Sequence, residues 1–169
     1  EEPGGESYVL PADVVLVATG ARPRVMPSAV PDGERILSWE QVYDLGELPE
    51  RLVVVGSGVT GAEFASAYHA LGSDVVLVSS RDRVLPGEDA DAAAVIEEVF
   101  GRRGMTVMSR SRAAGARRVG SRVEVELTDG TVVEGSHVLM AVGSTPNTED
   151  MGLLEAGVRL TEAGYIEVD

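Results

Sequence analysis

Leu52-Val53-Val54-Val55-Gly56-Ser57-Gly58-Val59-Thr60-Gly61-Ala62-Glu63 is an apolar, β-branched run that breaks into G-x-G-x-x-G and then into a helical pattern. Each glycine has a separate physical task in such a sequence. Gly56 permits a tight turn out of a strand, Gly58 clears a side chain so that backbone can approach a diphosphate, and Gly61 lets the following helix pack closely on the strand. The unpaired N–H groups at the start of that helix, reinforced by its dipole, then face negative charge. Ser57, Val59 and Thr60 fill the positions between the glycines and complete the expected pyrophosphate cradle.

The other end of the expected ligand is read about 20 positions beyond the glycines, where an acidic residue accepts the ribose 2′-hydroxyl in sites that prefer an unphosphorylated nucleotide. Here the corresponding residues are Val78-Ser79-Ser80-Arg81-Asp82-Arg83. Ser79 replaces the carboxylate and so removes the charge that would repel a 2′-phosphate. Arg81 offers a charge-assisted fork, with Ser79 and Ser80 expected to add hydroxyls. The pattern favours NADPH over NADH and is compatible with both. The competing account leaves Arg81 and Arg83 exposed, with Asp82 cancelling one of them.

Positioning these groups takes a β-α-β unit. Val53–Val55 is uninterrupted, as in a strand buried on both faces. Ala62–Leu71 carries Phe64, Ala65, Tyr68 and Leu71 at helical spacing, Gly72 stands at the expected C-cap, and Val75–Val78 is the next strand. Asp89 is a suitable N-cap for a helix over 90–103, stopped by Gly104, and Met105–Met108 makes a third parallel strand. Three short strands follow over 113–119, 122–127 and 132–134, with Thr128-Asp129-Gly130-Thr131 as a hairpin turn. Alternation of Val123, Val125 and Leu127 with Glu124 and Glu126 buries one face and wets the other. His137–Gly143 closes the sheet as a final strand. The predicted fold is α/β, a Rossmann-like doubly wound parallel sheet with an inserted three-stranded antiparallel meander.

Towards the N-terminus the first six residues are acidic and glycine-rich, as in a turn or a cut end. Val14–Val17 reads as a buried strand. Pro23, Pro27 and Pro31 rule out regular helix or central strand between them, so this stretch is a connection. Ser38-Trp39-Glu40-Gln41 has the form of a capping box opening a short helix that ends near Leu45. The nucleotide-binding domain is therefore expected over 38–145.

Composition narrows the function classes. The chain is 44% apolar and 25% charged, with a net charge of −14, so its average field repels nucleic acid and anionic membranes. Arg102, Arg103, Arg110, Arg112, Arg117, Arg118 and Arg122 nonetheless cluster without an acidic residue between Gly101 and Val123. A solvated face accounts for most of them, with local attraction for a phosphorylated ligand as the alternative. Cysteine is absent, which excludes disulfides and thiolate metal sites within these residues. His69 and His137 are too few for a metal cluster, and no metal is expected. Asp44 with His69, and Glu97 with Glu98, have spacings that any exposed helix produces. No apolar run approaches the roughly 20 residues of a membrane helix and no signal-peptide pattern opens the chain, so a cytoplasmic location is expected.

Five landmarks in order make the chain resemble the pyridine nucleotide-disulfide oxidoreductases, the flavoproteins that include dihydrolipoamide dehydrogenase and glutathione reductase. They are Val17-Ala18-Thr19-Gly20-Ala21-Arg22-Pro23, the Gly56–Glu63 fingerprint, Arg83-Val84-Leu85-Pro86-Gly87-Glu88-Asp89, Gly143-Ser144-Thr145-Pro146-Asn147-Thr148, and Gly157-Val158 through Gly164–Asp169. The resemblance implies an NAD(P)H-binding domain at 38–145, flanked by the end of an FAD-binding domain and hinge (1–37) and a return segment (146–169).

By position, the resemblance implies that Thr19 and Gly20 pass near the FAD diphosphate. Ala113 would line the adenine pocket, and Val142 and Gly143 the nicotinamide side. Glu63, the sole catalytic candidate, would pair with a lysine of the FAD domain beside the flavin. Val59 stands where some relatives carry a gating tyrosine, so an aromatic lid is not expected. The implied partners are the nicotinamide nucleotide, an FAD domain of the same polypeptide, and a second copy docked through a C-terminal domain beyond Asp169. The implied reaction passes a hydride from NADPH or NADH to FAD, and electrons on to a disulfide or quinone. Two other classes compete with it: a non-enzymatic nucleotide-sensing module, and a nucleic-acid or partner surface built on Arg102–Arg122.

Overall fold

A computed structural model describes residues 9–168, so the acidic, glycine-rich opening lies outside the described residues. The strands are β1 (Ala21–Pro23), β2 (Ile36–Ser38), β3 (Arg51–Val55), β4 (Asp74–Val78), β5 (Thr106–Met108), β6 (Ala113–Val119), β7 (Arg122–Leu127), β8 (Val132–Gly135), β9 (His137–Met140) and β10 (Ser144–Pro146). The helices are α1 (Val59–Leu71), between β3 and β4, and α2 (Ala90–Arg102), between β4 and β5; a 3₁₀ turn covers Gln41–Asp44. Two compact units emerge, Arg22–Thr145 and the terminal segments Glu1–Ala21 with Pro146–Asp169.

Within Arg22–Thr145 the central sheet is parallel, in the order β2-β9-β3-β4-β5. Its apolar runs are continuous because both faces are covered. Leu52, Val54, Val75, Leu77 and Leu139 point to one side and pack with Ala62, Ala65 and Phe100 of the two helices. Val53, Val55, Val76, Val78, Val138 and Met140 point to the other and meet Val123, Val125, Leu127 and Val133. That second layer is the antiparallel sheet β6-β7-β8, which covers the face where a doubly wound fold ordinarily places helices. The expected α/β fold with an inserted meander is the fold observed.

Both helices are ended by glycine in the same way. Gly72 (φ +110°) and Gly104 (φ +90°) are left-handed. Gly72 N–H donates to His69 O and Ser73 N–H to Tyr68 O, while Gly104 N–H donates to Gly101 O and Met105 N–H to Phe100 O. These are paired Schellman bonds. The Asp89 carboxylate accepts from the N–H groups of Asp91 and Ala92, as an N-cap should. At Ser38 and Gln41 the capping box is reciprocal. Gln41 N–H donates to Ser38 Oγ at 3.3 Å, and Ser38 N–H to Gln41 Oε1 at 3.0 Å.

Four expectations are revised. Ser38 ends a strand, β2, which forms the sheet's edge. The final strand β9 lies inside the sheet, between β2 and β3. The buried face of α1 is Gly61, Ala62 and Ala65, while Leu71 is exposed. Small residues let the helix approach the sheet, which leaves its large side chains at the flank; there Phe64 meets the Tyr43 ring edge-on at 5.3 Å and Tyr68 Oη donates to Val42 O. Val14–Val17 does not form a strand, and Val14, Val15 and Leu16 are exposed. Apolar sequence alone does not make a strand when no neighbour takes up its ladder of hydrogen bonds.

In the terminal unit, Asn147 holds Thr19 and Gly20, its N–H donating to Gly20 O at 3.0 Å and its Nδ2 to Thr19 O at 3.1 Å. Thr148 Oγ1 donates to Gly164 O at 2.7 Å.

Candidate functional site

From β3 the chain crosses through α1 to β4 on one side, while β9 flanks β3 on the other. Where strand order reverses in this way, a crevice opens beyond the carboxyl ends of the strands. Gly56 N–H donates to Val78 O and Ala141 N–H to Val55 O, so three strand ends are tied at the crevice floor.

The three glycines differ in the way the spacing requires. A Cβ on Gly56, whose φ is +110°, would stand 2.1 Å from Ala141 O. A Cβ on Gly61 would stand 1.9 Å from Gly56 O. Neither position accepts a side chain without moving backbone. A Cβ on Gly58 would meet nothing within 4 Å, because Gly58 caps α1 with exposed, extended backbone. The space in front of it is open, and the first N–H groups of α1 have no partner within the helix.

That space belongs to a cleft of about 590 Å³ whose walls all lie within Arg22–Thr145. Gly56, Ser57, Gly58, Val59 and Thr60 form its floor, with Val142, Gly143 and Ser144 on the β9 side. Ser80 and Arg81 follow β4, Ser111, Arg112 and Ala113 follow β5, and Trp39 follows β2. Arg24, Met26 and Pro86 complete the wall. Three arginines line the cleft, and no aspartate or glutamate is among its lining residues. In a chain of net charge −14 this is a local reversal of sign. Its volume lies within the range of small-molecule and cofactor sites.

Of the predicted residues, the structure brings Gly56, Ser57, Gly58, Val59, Thr60, Ser80, Arg81, Ala113, Val142 and Gly143 together around the cleft. Gly61 lies beneath it, packing α1 onto the turn. Ser79 does not reach it: the side chain is fully buried and its hydroxyl is turned inwards, 2.6 Å from Ser57 Oγ. Glu63 is exposed on α1, outside the cleft wall. Thr19 and Gly20 belong to the terminal unit. Arg24, Trp39 and Ser111 were not foreseen, while Arg112 comes from the arginine run that offered local attraction for a phosphorylated ligand. Trp39, Ser111 and Arg112 follow carboxyl ends of parallel strands, so asking what comes after every strand would have found them.

The arginine run divides in two. Arg117 pairs with Glu124, Arg118 with Glu34, Arg122 with Glu134 and Arg102 with Glu98, all with exposed guanidinium groups. Arg112 faces the cleft instead. The histidines lie elsewhere: His69 shares a hydrogen bond with Arg103 O, and His137 stands at the opposite end of the sheet beside Arg35. Among the described residues no group of His, Asp or Glu side chains could hold a metal, and no helix is long and apolar enough to cross a membrane.

A diphosphate meets the requirements of this cleft, with a bare turn, a free helix N-terminus and cationic walls. Burial of an anion there is compensated by donors and by charge.

A family model described as pyridine nucleotide-disulphide oxidoreductase matches residues 1–169. The chain is 59% identical over 158 residues to an NAD(P)H dehydrogenase (quinone) of Mycobacterium tuberculosis, covering 94% of this chain and 32% of that protein. It is 34% identical to the dihydrolipoyl dehydrogenase of Zymomonas mobilis, covering 98% and 36%. Among solved structures, LpdA of M. tuberculosis superposes with a TM-score of 0.84 at 59% identity, covering 94% of this chain and 34% of that one. The flavoprotein disulfide reductase RclA of Escherichia coli gives 0.76 at 27% identity, covering 90% and 34%. The chain spans about a third of the length of the curated relatives it matches.

Proposed function

The chain belongs to the pyridine nucleotide-disulphide oxidoreductase family, and from that premise we propose that it carries the NAD(P)H-binding domain (38–145) of an FAD-dependent oxidoreductase. Residues 1–37 and 146–169 are the adjoining parts of the flavin-binding portion. The observation that carries this reading is the arginine-lined, carboxylate-free cleft in front of Gly58.

When bound, the reduced nicotinamide supplies a hydride and FAD accepts it. The chain's own residues bind and orient. The Gly56–Gly61 turn and the first turn of α1 hold the diphosphate, and Ser80 with Arg81 holds the adenosine end. Ala113 lines the adenine side, while Val142 and Gly143 border the nicotinamide end. Val59 leaves that end without an aromatic lid. Glu63, exposed on α1, is free to meet a cation from the flavin-binding part. Thr19 and Gly20, tied to Asn147, form the hinge that approaches the flavin. The arginine walls favour NADPH over NADH.

The 59% identical relative is named for a quinone acceptor, which supports a quinone in preference to a disulfide. Anaerobic mixing of NADPH with the FAD-loaded full-length protein tests the proposal. The expected result is bleaching of the flavin absorbance, restored by a benzoquinone; flavin left oxidised at saturating NADPH and at saturating NADH overturns it.

A further inference from the structure

Ser79 stands where a ribose-binding carboxylate is expected, yet it is 0% exposed. Its hydroxyl lies 2.6 Å from Ser57 Oγ, accepts from Arg81 N–H at 3.1 Å, and lies 3.3 Å and 3.4 Å from the carbonyl oxygens of Arg81 and Arg83. A serine hydroxyl offers one proton and two lone pairs. Its proton goes to Ser57 Oγ or to the Arg81 or Arg83 carbonyl, and one lone pair takes the Arg81 N–H. Fully buried among these partners, the hydroxyl presents nothing to the cleft.

The same residue joins three loops. Ser57, 5% exposed, belongs to the glycine turn, and its carbonyl accepts from Leu85 N–H at 2.8 Å. The backbone of Ser79 donates to Met108 O and accepts from Ser111 N–H, and Arg81 O accepts from Arg110 N–H. Ser80 and Arg81, both exposed at the cleft wall, therefore sit on a turn clamped from beneath.

We propose that the buried Ser57–Ser79 hydroxyl pair is the positioning device that fixes Ser80 and Arg81 at a set distance from the glycine turn. Selection for a 2′-phosphate then depends on the geometry of that turn as well as on the charge of Arg81. Ser79 is a positioning residue that never touches the nucleotide. This inference rests on the nucleotide-site reading above.

Titration of the full chain with NADPH and with NADH tests it in Ser79→Ala, Ser57→Ala, Arg81→Ala and the Ser79→Ala/Arg81→Ala pair, with melting temperature followed throughout. Each serine variant is expected to lose NADPH affinity about fivefold to tenfold more than NADH affinity, the size of one buried hydrogen bond. Adding Ser79→Ala to Arg81→Ala is expected to change that ratio less than about twofold, since the group being positioned is gone. Equal losses for both nucleotides, or an unchanged ratio in both serine variants, overturn the proposal. Should Ser79→Ala not fold, Ser57→Ala decides alone. If the unaltered chain takes up neither nucleotide, the nucleotide site fails, and this inference with it.

Discussion

Three glycines within a six-residue stretch meet three different surroundings, and each can be substituted separately. Gly58→Ala places a methyl in open space on backbone that alanine readily adopts, with φ −68°. It should leave stability unchanged or raised by up to about 1 kcal/mol, while dinucleotide affinity falls at least tenfold in a binding titration. Gly61→Ala should do the reverse, because its methyl meets a backbone carbonyl at 1.9 Å. Displacing α1 to admit it should cost about 1–3 kcal/mol in a urea unfolding curve. Arg81→Ala should raise KM for NADPH about tenfold more than for NADH, the weight of one charge-assisted hydrogen bond; equal changes would remove the phosphate-recognition account. The crowding at Gly56 and Gly61 was legible in the sequence because the glycine spacing is itself a statement about backbone. The direction of the Ser79 side chain was not legible, since a hydroxyl finds its partners only once Ser57 and the Arg83 carbonyl have been brought to it.

Among the secondary-structure elements, the caps and apolar runs carried most of the fold. Asp89, Gly72 and Gly104 marked helix ends because their local conformations are chemically specific. Asp89→Ala should lower stability by about 1 kcal/mol through the two N–H groups it abandons. β2 was not legible: three residues do not show a strand's alternation, and Ser38 also carries a cap signal. The start of β9 supplies a pH dependence. His137 Nε2 faces the Arg35 guanidinium at 3.1 Å, which only donates, so Nδ1 carries the proton and donates to Ser136 Oγ. Burial and Arg35 hold the His137 ring below its ordinary value, with Asp32 opposing weakly. The folded state thus favours the neutral ring and the unfolded chain takes up the proton first. Its contribution is complete above about pH 6.5 and declines as pH falls through that value. The urea midpoint should drop between pH 7.5 and 5.5, and His137→Gln should flatten that drop.

At the scale of the whole molecule, the strongest contrast is between a net charge of −14 and a cleft lined by Arg24, Arg81 and Arg112. The overall field repels extended polyanions, whereas a compact dianion inside the cleft responds to its near neighbours within a screening length of about 10 Å at 0.1 M salt. Duplex DNA should therefore not be retained by the chain at that salt. Strand order supplies the rest of the site, by setting the ends of β2, β3, β4, β5 and β9 around one crevice. For this reason the sequence did not separate Arg112 from the other members of its arginine run: only the parallel pairing of β4 with β5 brings it to the cleft.

The most direct measurement is calorimetric titration of the folded full chain with NADPH, repeated with ADP-ribose in competition and with Gly58→Ala. Saturable uptake, displaced by ADP-ribose and weakened at least tenfold by the added methyl, is the predicted result. No saturable uptake by the folded chain, or uptake indifferent to Gly58→Ala, would contradict a diphosphate held at this turn.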